Sequence, residues 1–387
     1  LAAVAAACSS SSSSPNISPN DDGGGVDAGG VTAKDGGATS TDAAGPFQSV
    51  HDELFTGKWT TDGVVIMRDG KIIYEEYANG YTKDTPHITY SVSKSIGGTL
   101  VGMAIADGYM KLTESVCTYI TKPASADPKL CDTTVEDLLH MSSGLSWAED
   151  YGIDPTTSNV LQMLYGNTDD MGAYAAGLPR AFPTNTKWSY SSGDANILAL
   201  AFKGALAAQS KDGRTYAQTK LFAPLGITTS TFETDHSGTL VFSSSWYATP
   251  RDMGKMGQLY LDDGMVGTTR VLPANWVKYA ITPAPAASAV TMRDPKQANP
   301  GDTGGSYGAQ VWLNAVSATQ SADTFQYPGA PGDTYAFEGH YGQKIFVIPS
   351  RKVVIARVGN DRKPVFDPSP MIQKAVAVVD ALIAGGK

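Results

Sequence analysis

Ser91 and Lys94 stand three residues apart in Tyr90-Ser91-Val92-Ser93-Lys94-Ser95-Ile96. Residues at this spacing share one face of a helix, so a hydroxyl and an amine can meet over one pocket. A lysine taken out of water holds its proton less tightly, and the neutral amine can then take a proton from serine. That is the chemistry of a serine acyl-transfer enzyme. A helix cap and a snorkelling surface lysine would explain the same pair without chemistry. Against that blander account, the helix dipole disfavours a cation at this end, and the following run, Gly97 to Ala106, is apolar and free of proline. We read the whole as a buried helix despite its three glycines.

Acyl transfer needs more than a nucleophile and a proton acceptor. It needs a donor to the leaving group and N–H groups aimed at the developing oxyanion. Two later segments offer such groups: Tyr190-Ser191-Ser192 and His340-Tyr341-Gly342-Gln343. A tyrosine beside an ammonium can have a lowered pKa, so Tyr190 and Lys94 can share the proton work, and coupled groups need not give up their protons one by one. Gly342 would let a strand approach substrate with no Cβ in the way. The plain alternatives are a core tyrosine, a turn histidine and, for Ser192, an N-cap of the helix that runs from Ile197. Trp147, Trp188 and Tyr341 are candidates for an apolar acyl pocket, though such residues serve a core equally well.

The elements that must position these residues are legible in part. Val64–Arg68 and Lys71–Tyr77 flank Asp69-Gly70, the pattern of a tight hairpin. Gln343–Ile348 and Lys352–Val358 flank Pro349-Ser350-Arg351 and make a second one. Tyr307–Leu313 reads as a strand, and Pro370 to Ile383 as an amphipathic closing helix. Residues 159 to 177 read as helical, Thr133-Thr134 caps a helix that stops at Ser143-Gly144, and Thr249-Pro250 opens another. His140 is best read as packing at that helix end. Strands at both ends with helices between predict an α+β fold: one antiparallel sheet built by both termini and flanked by helices, with the middle inserted as a helical lobe. We expect residues 47–385 to form the folded part, its sheet lobe from 47–90 plus 301–385 and its helical lobe from 91–300. Ser91 then falls where one lobe passes into the other, a common place for a site.

The chain of 387 residues carries a net charge of −9, and no basic stripe is present to neutralise phosphates, which argues against a nucleic-acid partner. Neither cysteine spacing nor the five histidines suggest a metal cluster, and no cofactor is implied. Cys117 and Cys131 flank a proline-containing loop and would close it as a disulfide in an exported chain, or remain two separate thiols. Leu1–Ala7 is short, apolar and small-residued, as the tail of a signal peptide would be. Ala5-Ala6-Ala7-Cys8 resembles a bacterial lipoprotein processing site with Cys8 lipidated, although Ala5 stands where such sites usually carry Leu; plain secretion is the alternative. Residues 9–46, rich in Ser, Gly, Asp, Pro and Ala, read as a flexible tether. The expected location is the bacterial periplasm or cell envelope, with membrane attachment through Cys8.

Ser91-Val92-Ser93-Lys94, Tyr190-Ser191-Ser192 and His340-Tyr341-Gly342-Gln343, in that order, resemble the serine beta-lactamase-like and penicillin-recognising superfamily. Tyr74-Glu75, Leu138–Leu145 and Asn196 also match habits of its class C beta-lactamase, esterase and 6-aminohexanoate-dimer hydrolase branch. The resemblance covers about residues 47 to 385. It implies a beta-lactamase/transpeptidase-like fold with Ser91 as nucleophile, Lys94 as its activating partner and Tyr190 as proton carrier. Ser192 takes the place of the branch's Asn, His340 that of the lysine opening Lys-Thr-Gly, and Gly342 that of the motif's glycine. The backbone N–H groups of Ser91 and Gln343 would form the oxyanion hole. Both departures remove groups that suit a beta-lactam: an amide donor and a fixed positive charge. The expectation is therefore hydrolysis of carboxylic esters or small amides through an acyl-enzyme. A D-amino-acid peptidase, penicillin-binding or beta-lactamase activity on cell-wall-related substrates, including short peptides, is the alternative. A silent binding domain is disfavoured by the intact Ser91, Lys94 and Tyr190.

Overall fold

Asp69 and Gly70 both take positive φ, +49° and +75°. That is the twist a two-residue hairpin demands. It joins β1 (Thr61–Arg68) to β2 (Lys71–Tyr77) as expected. The computed structural model describes residues 45–151, 156–288, 306–317, 319–363 and 365–386. Cys8 and residues 9–44 of the expected tether lie outside the described residues.

The rest of the main sheet comes from the other end of the chain: β3 (Trp312–Leu313), β4 (Tyr335–Gly339), β5 (Gln343–Ile348) and β6 (Val353–Gly359). The six strands lie in the order β2-β1-β6-β5-β4-β3 with every pair antiparallel. Both faces of the central strands β1, β5 and β6 are covered, so these read as largely apolar runs, whereas the edge strand β2 is mostly exposed or half-buried. Val64, Ile66, Phe346, Ile348 and Ile355 face α1 (Gln48–Phe55) and α6 (Ser369–Ala384). Val65, Met67, Ile345, Val347, Val354 and Ala356 face the helices between. The alternation follows the strand period of two, and each buried Val, Ile, Phe or Met among them contributes roughly 1.5–3 kcal/mol.

The helical part holds α2 (Val92–Ala106), α3 (Val135–Leu139), α4 (Ser192–Ala207) and α5 (Pro250–Leu261). The glycines of α2 are explained by what packs on them. An ideal Cβ on Gly97 would lie 2.4 Å from the Phe242 ring, and one on Gly102 would lie 2.4 Å from Trp276. Thr134 and Asp137 form a capping box for α3, and His140 is the C-cap, buried against Tyr279. Thr249 caps α5, whose first residue is Pro250. The antiparallel sheet built from strands at both ends of the chain, flanked by helices and an inserted helical lobe, is thus as expected.

Two elements differ. The strand expected over Tyr307–Leu313 is only Trp312–Leu313; Gln310 takes φ +61°, Gly308 N–H donates to Val311 O at 2.8 Å, and Tyr307 folds back to bridge Trp312. The helix expected over 159–177 is broken, because Asp170 starts a fresh helix by accepting from Ala173 N–H.

Candidate active site

Ser91 is the N-cap of α2, but its hydroxyl makes no capping bond. The hydroxyl is left for chemistry, and the residue before it is unusual. Tyr90 takes φ +48°, a left-handed backbone that costs a bulky residue energy and re-aims the chain into the helix. One turn on, Lys94 is 1% exposed. Its Nζ has three partners: Ser91 Oγ at 3.0 Å, Ser192 Oγ at 2.9 Å and Ser243 O at 2.8 Å. Asn196 on α4 fixes the last of these, since its Oδ1 accepts from Ser243 N–H at 3.1 Å. Burial pulls the Lys94 pKa down to about 8, with the Glu149 carboxylate opposing the shift. The lysine anticipated as a proton acceptor is therefore close to neutral in mildly basic water.

Tyr190 lies over the same group, its ring centroid 4.9 Å from Lys94 Nζ, and stacks on Trp312 at 5.4 Å. Burial pushes its phenol well above the ordinary tyrosine range, Tyr307 and Glu149 add to that, and a hydrogen bond with Ser91 opposes it. The shift runs opposite to the lowering that an ammonium neighbour alone would give, so of the two groups left open by the sequence the phenol suits the donor and Lys94 the acceptor. Ser192 is not the N-cap of α4. Ser191 takes that task by accepting from Asp194 N–H at 2.9 Å, which frees the Ser192 hydroxyl for Lys94.

The 339–343 turn is placed less simply. His340 stands among Tyr151 (4.8 Å between ring centroids), Tyr341 (4.0 Å) and Tyr90 (6.1 Å). Desolvation lowers its pKa, Lys344 and Lys94 lower it further, and Glu149 opposes, so the ring is neutral at pH 7. Gly342 packs against Arg357 and Asp361. At φ +89°, an ideal Cβ there would lie 2.3 Å from Arg357 Nη1. Gln343 is buried, and its carboxamide ties the turn to His340 O, Tyr341 O and Gly359 O. The glycine that passes the nucleophile's segment is instead Gly339, where a Cβ would lie 2.1 Å from Thr89 O. Trp147 and Trp188 are buried, and Trp188 packs on Tyr307 and Trp312. Of the three candidate pocket aromatics, Tyr341 is the one that packs beside Tyr90 and His340.

Sequence reasoning missed Glu149. It is 5% exposed and accepts four hydrogen bonds: Ser192 N–H at 2.9 Å and Trp147 Nε1–H at 2.5 Å on Oε2, then Ser192 Oγ–H at 2.6 Å and Tyr151 O–H at 2.9 Å on Oε1. The one available signal was an acidic residue between aromatic neighbours two positions either side, Trp147 and Tyr151. Cys117 and Cys131 are joined as a disulfide. Among the described residues no cluster of His, Cys, Asp and Glu could hold a metal ion, and no helix is long and apolar enough to cross a membrane.

Lys94 is buried, and Ser91 and Tyr190 stand half-buried beside it at a helix start next to an antiparallel sheet, the arrangement of groups that acyl transfer through a serine requires. The chain belongs to the beta-lactamase family, whose family model matches residues 51–379. A 6-aminohexanoate-dimer hydrolase from Paenarthrobacter ureafaciens is 26% identical over 227 residues; the match spans 56% of this chain and 56% of that protein, so about half the relative's length. Among solved structures, a Bacillus anthracis protein provisionally named a 6-aminohexanoate-dimer hydrolase matches at TM-score 0.66 and 20% identity over 84% of this chain and 80% of its own. A family VIII carboxylesterase matches at TM-score 0.65 and 16% identity, over 87% and 98%. A penicillin-binding protein homologue from Caulobacter crescentus matches at 0.61 and 15%, over 86% and 98%. The structural likenesses show the shared fold.

Proposed function

We propose that the protein hydrolyses carboxylic esters or small linear amides through a covalent acyl-enzyme on Ser91. The observation that carries the reading is the buried Lys94, hydrogen-bonded to Ser91 Oγ at 3.0 Å with its pKa pulled down to about 8. Neutral Lys94 takes the Ser91 proton as Oγ attacks the carbonyl carbon. The oxyanion is held by Ser91 N–H at the helix start, where the dipole favours negative charge. A second N–H comes from His340, brought close by Gly339. Tyr190 gives its proton to the leaving alkoxide or amine and is reprotonated by way of Lys94. Water then attacks the acyl carbon with the same groups working in reverse. Gln343, expected to supply an oxyanion N–H, is on this reading the tie that holds the turn.

Neutral His340 in place of a lysine, and a hydroxyl at Ser192, support substrates without a carboxylate beside the scissile bond. One feature favours the other reading, action on D-amino-acid peptides or beta-lactams: the Arg362 guanidinium lies 5.2 Å from the Tyr341 ring and supplies a cation at the mouth. Turnover of p-nitrophenyl esters, short linear amides, D-Ala-D-Ala peptides and nitrocefin, each against a Ser91→Ala blank, separates them. The proposed reading expects ester or amide turnover well above the other two; nitrocefin or D-peptide turnover in the lead would replace it.

The disulfide supports an exported location, since oxidising compartments are where such bonds persist. Attachment through a lipidated Cys8 remains part of this proposal, and mass spectrometry of the mature protein tests it.

A further inference from the structure

Lys94 Nζ has three neighbours, and a neutral amine has two hydrogens and one lone pair. For the lone pair to face Ser91, the hydrogens must go to the other two. Ser243 O is a carbonyl and can only accept. Ser192 Oγ is a hydroxyl, and it can point its own hydrogen either way. If that hydrogen turned toward Lys94, it would occupy the lone pair that Ser91 needs.

Glu149 decides the direction. Two fixed donors, Ser192 N–H and Trp147 Nε1–H, already fill Oε2, and Tyr151 O–H donates to Oε1. An ionised carboxylate has no hydrogen to give. The 2.6 Å contact between Ser192 Oγ and Oε1 is therefore a bond donated by the serine. We propose that Glu149 is a positioning residue for acylation: by drawing the Ser192 hydrogen to itself it keeps that hydroxyl an acceptor, which turns the free electron pair of Lys94 onto Ser91. The inference deepens the proposed function and rests on its roles for Ser91 and Lys94.

Glutamine at 149 shows what the carboxylate does. Its single carbonyl oxygen must stay with the two immobile N–H groups, so the amide NH2 meets Ser192 Oγ. The serine then accepts from the amide and turns its hydrogen onto Lys94. Removing the Ser192 hydroxyl removes that hydrogen, so the damage done by Glu149→Gln should vanish in a Ser192→Ala background.

The test is a double-mutant cycle on the second-order rate of labelling by a fluorophosphonate, with wild type, Glu149→Gln, Ser192→Ala and the double variant, each shown to be folded by circular dichroism. Labelling in Glu149→Gln is expected to fall about 10²-fold, as loss of alignment at a reacting pair does. The double variant is expected to label as fast as Ser192→Ala alone. Losses that multiply would overturn the inference, because Glu149 would then act independently of Ser192. A wild-type rate in Glu149→Gln would overturn it as well. Should Glu149→Gln not fold, Glu149→Asp, whose carboxylate is too short to reach Ser192 Oγ, takes its place in the same cycle. Absence of labelling in folded wild type would instead overturn the hydrolase reading, and this inference with it.

Discussion

Lys94 Nζ lies 3.0 Å from Ser91 Oγ, and the lysine that reaches it is 1% exposed. The distance makes proton transfer direct, and the burial makes the neutral amine available. Acylation should therefore rise with pH and level off above an inflection near 8, since the base works only once its proton is gone. Lys94→Met should lower acylation by about 10²–10⁴-fold. Lys94→Arg should not restore it, because a guanidinium keeps its proton. The pH dependence of pre-steady-state ester acylation checks all three. The same burial costs stability below the ordinary lysine range, so Lys94→Met should melt no lower than wild type at pH 7 despite its slowed acylation.

Tyr190 keeps its proton because burial raises its pKa. The donor role proposed for it would matter most when the leaving group cannot depart as an anion. Tyr190→Phe should cut amide turnover by about 10²-fold or more, yet lower p-nitrophenyl ester turnover far less. Parallel kcat/KM measurements on an amide and on the activated ester test this, and equal losses on both would remove Tyr190 from the leaving-group step.

Asp194 is fully buried behind the Tyr190 segment, and its Oδ1 accepts from Ser143 Oγ at 2.7 Å. Burial raises its pKa from 3.8 to about 6, while Ser143 and Arg180 pull the other way. A carboxyl raised in this way holds its proton more tightly folded than unfolded. Its contribution is best below the unfolded value and is lost as pH rises toward and past 6, a loss of roughly 3 kcal/mol. Thermal melts of Asp194→Asn should thus show a gain over wild type at pH 8 and a much smaller one at pH 4.5.

The Cys117–Cys131 bond closes a segment with a sequence separation of 14. Loop closure of that length is worth about 3 kcal/mol. Urea unfolding of a Cys117→Ser/Cys131→Ser variant should show a loss of that order, with fluorophosphonate labelling at 25 °C unchanged in the folded protein.

Much of this was legible because it is local. The hairpin at Asp69-Gly70, the Thr134 and Thr249 caps and the one-turn spacing of Ser91 and Lys94 all follow from neighbouring residues. What was not legible depends on residues far apart in sequence. The glycines of α2 make sense only with Phe242 and Trp276 in place. Which of Lys94 and Tyr190 holds the proton was not legible, because the burying neighbours of Tyr190, Tyr307 and Trp312, come from distant parts of the chain. Gly339 and Gly342 sit three positions apart, and only the turn's path decides which passes Thr89 and which meets Arg357. Glu149 carries no motif at all. Its role exists only because the chain brings it to Ser192, 43 positions on.

The central claim is that Ser91 is an activated nucleophile. Intact mass after exposure to a fluorophosphonate, with Ser91→Ala in parallel, tests it most directly. One adduct per chain on the wild type and none on the variant is the predicted result. An unlabelled wild type of proven fold, or equal labelling of both proteins, would contradict it.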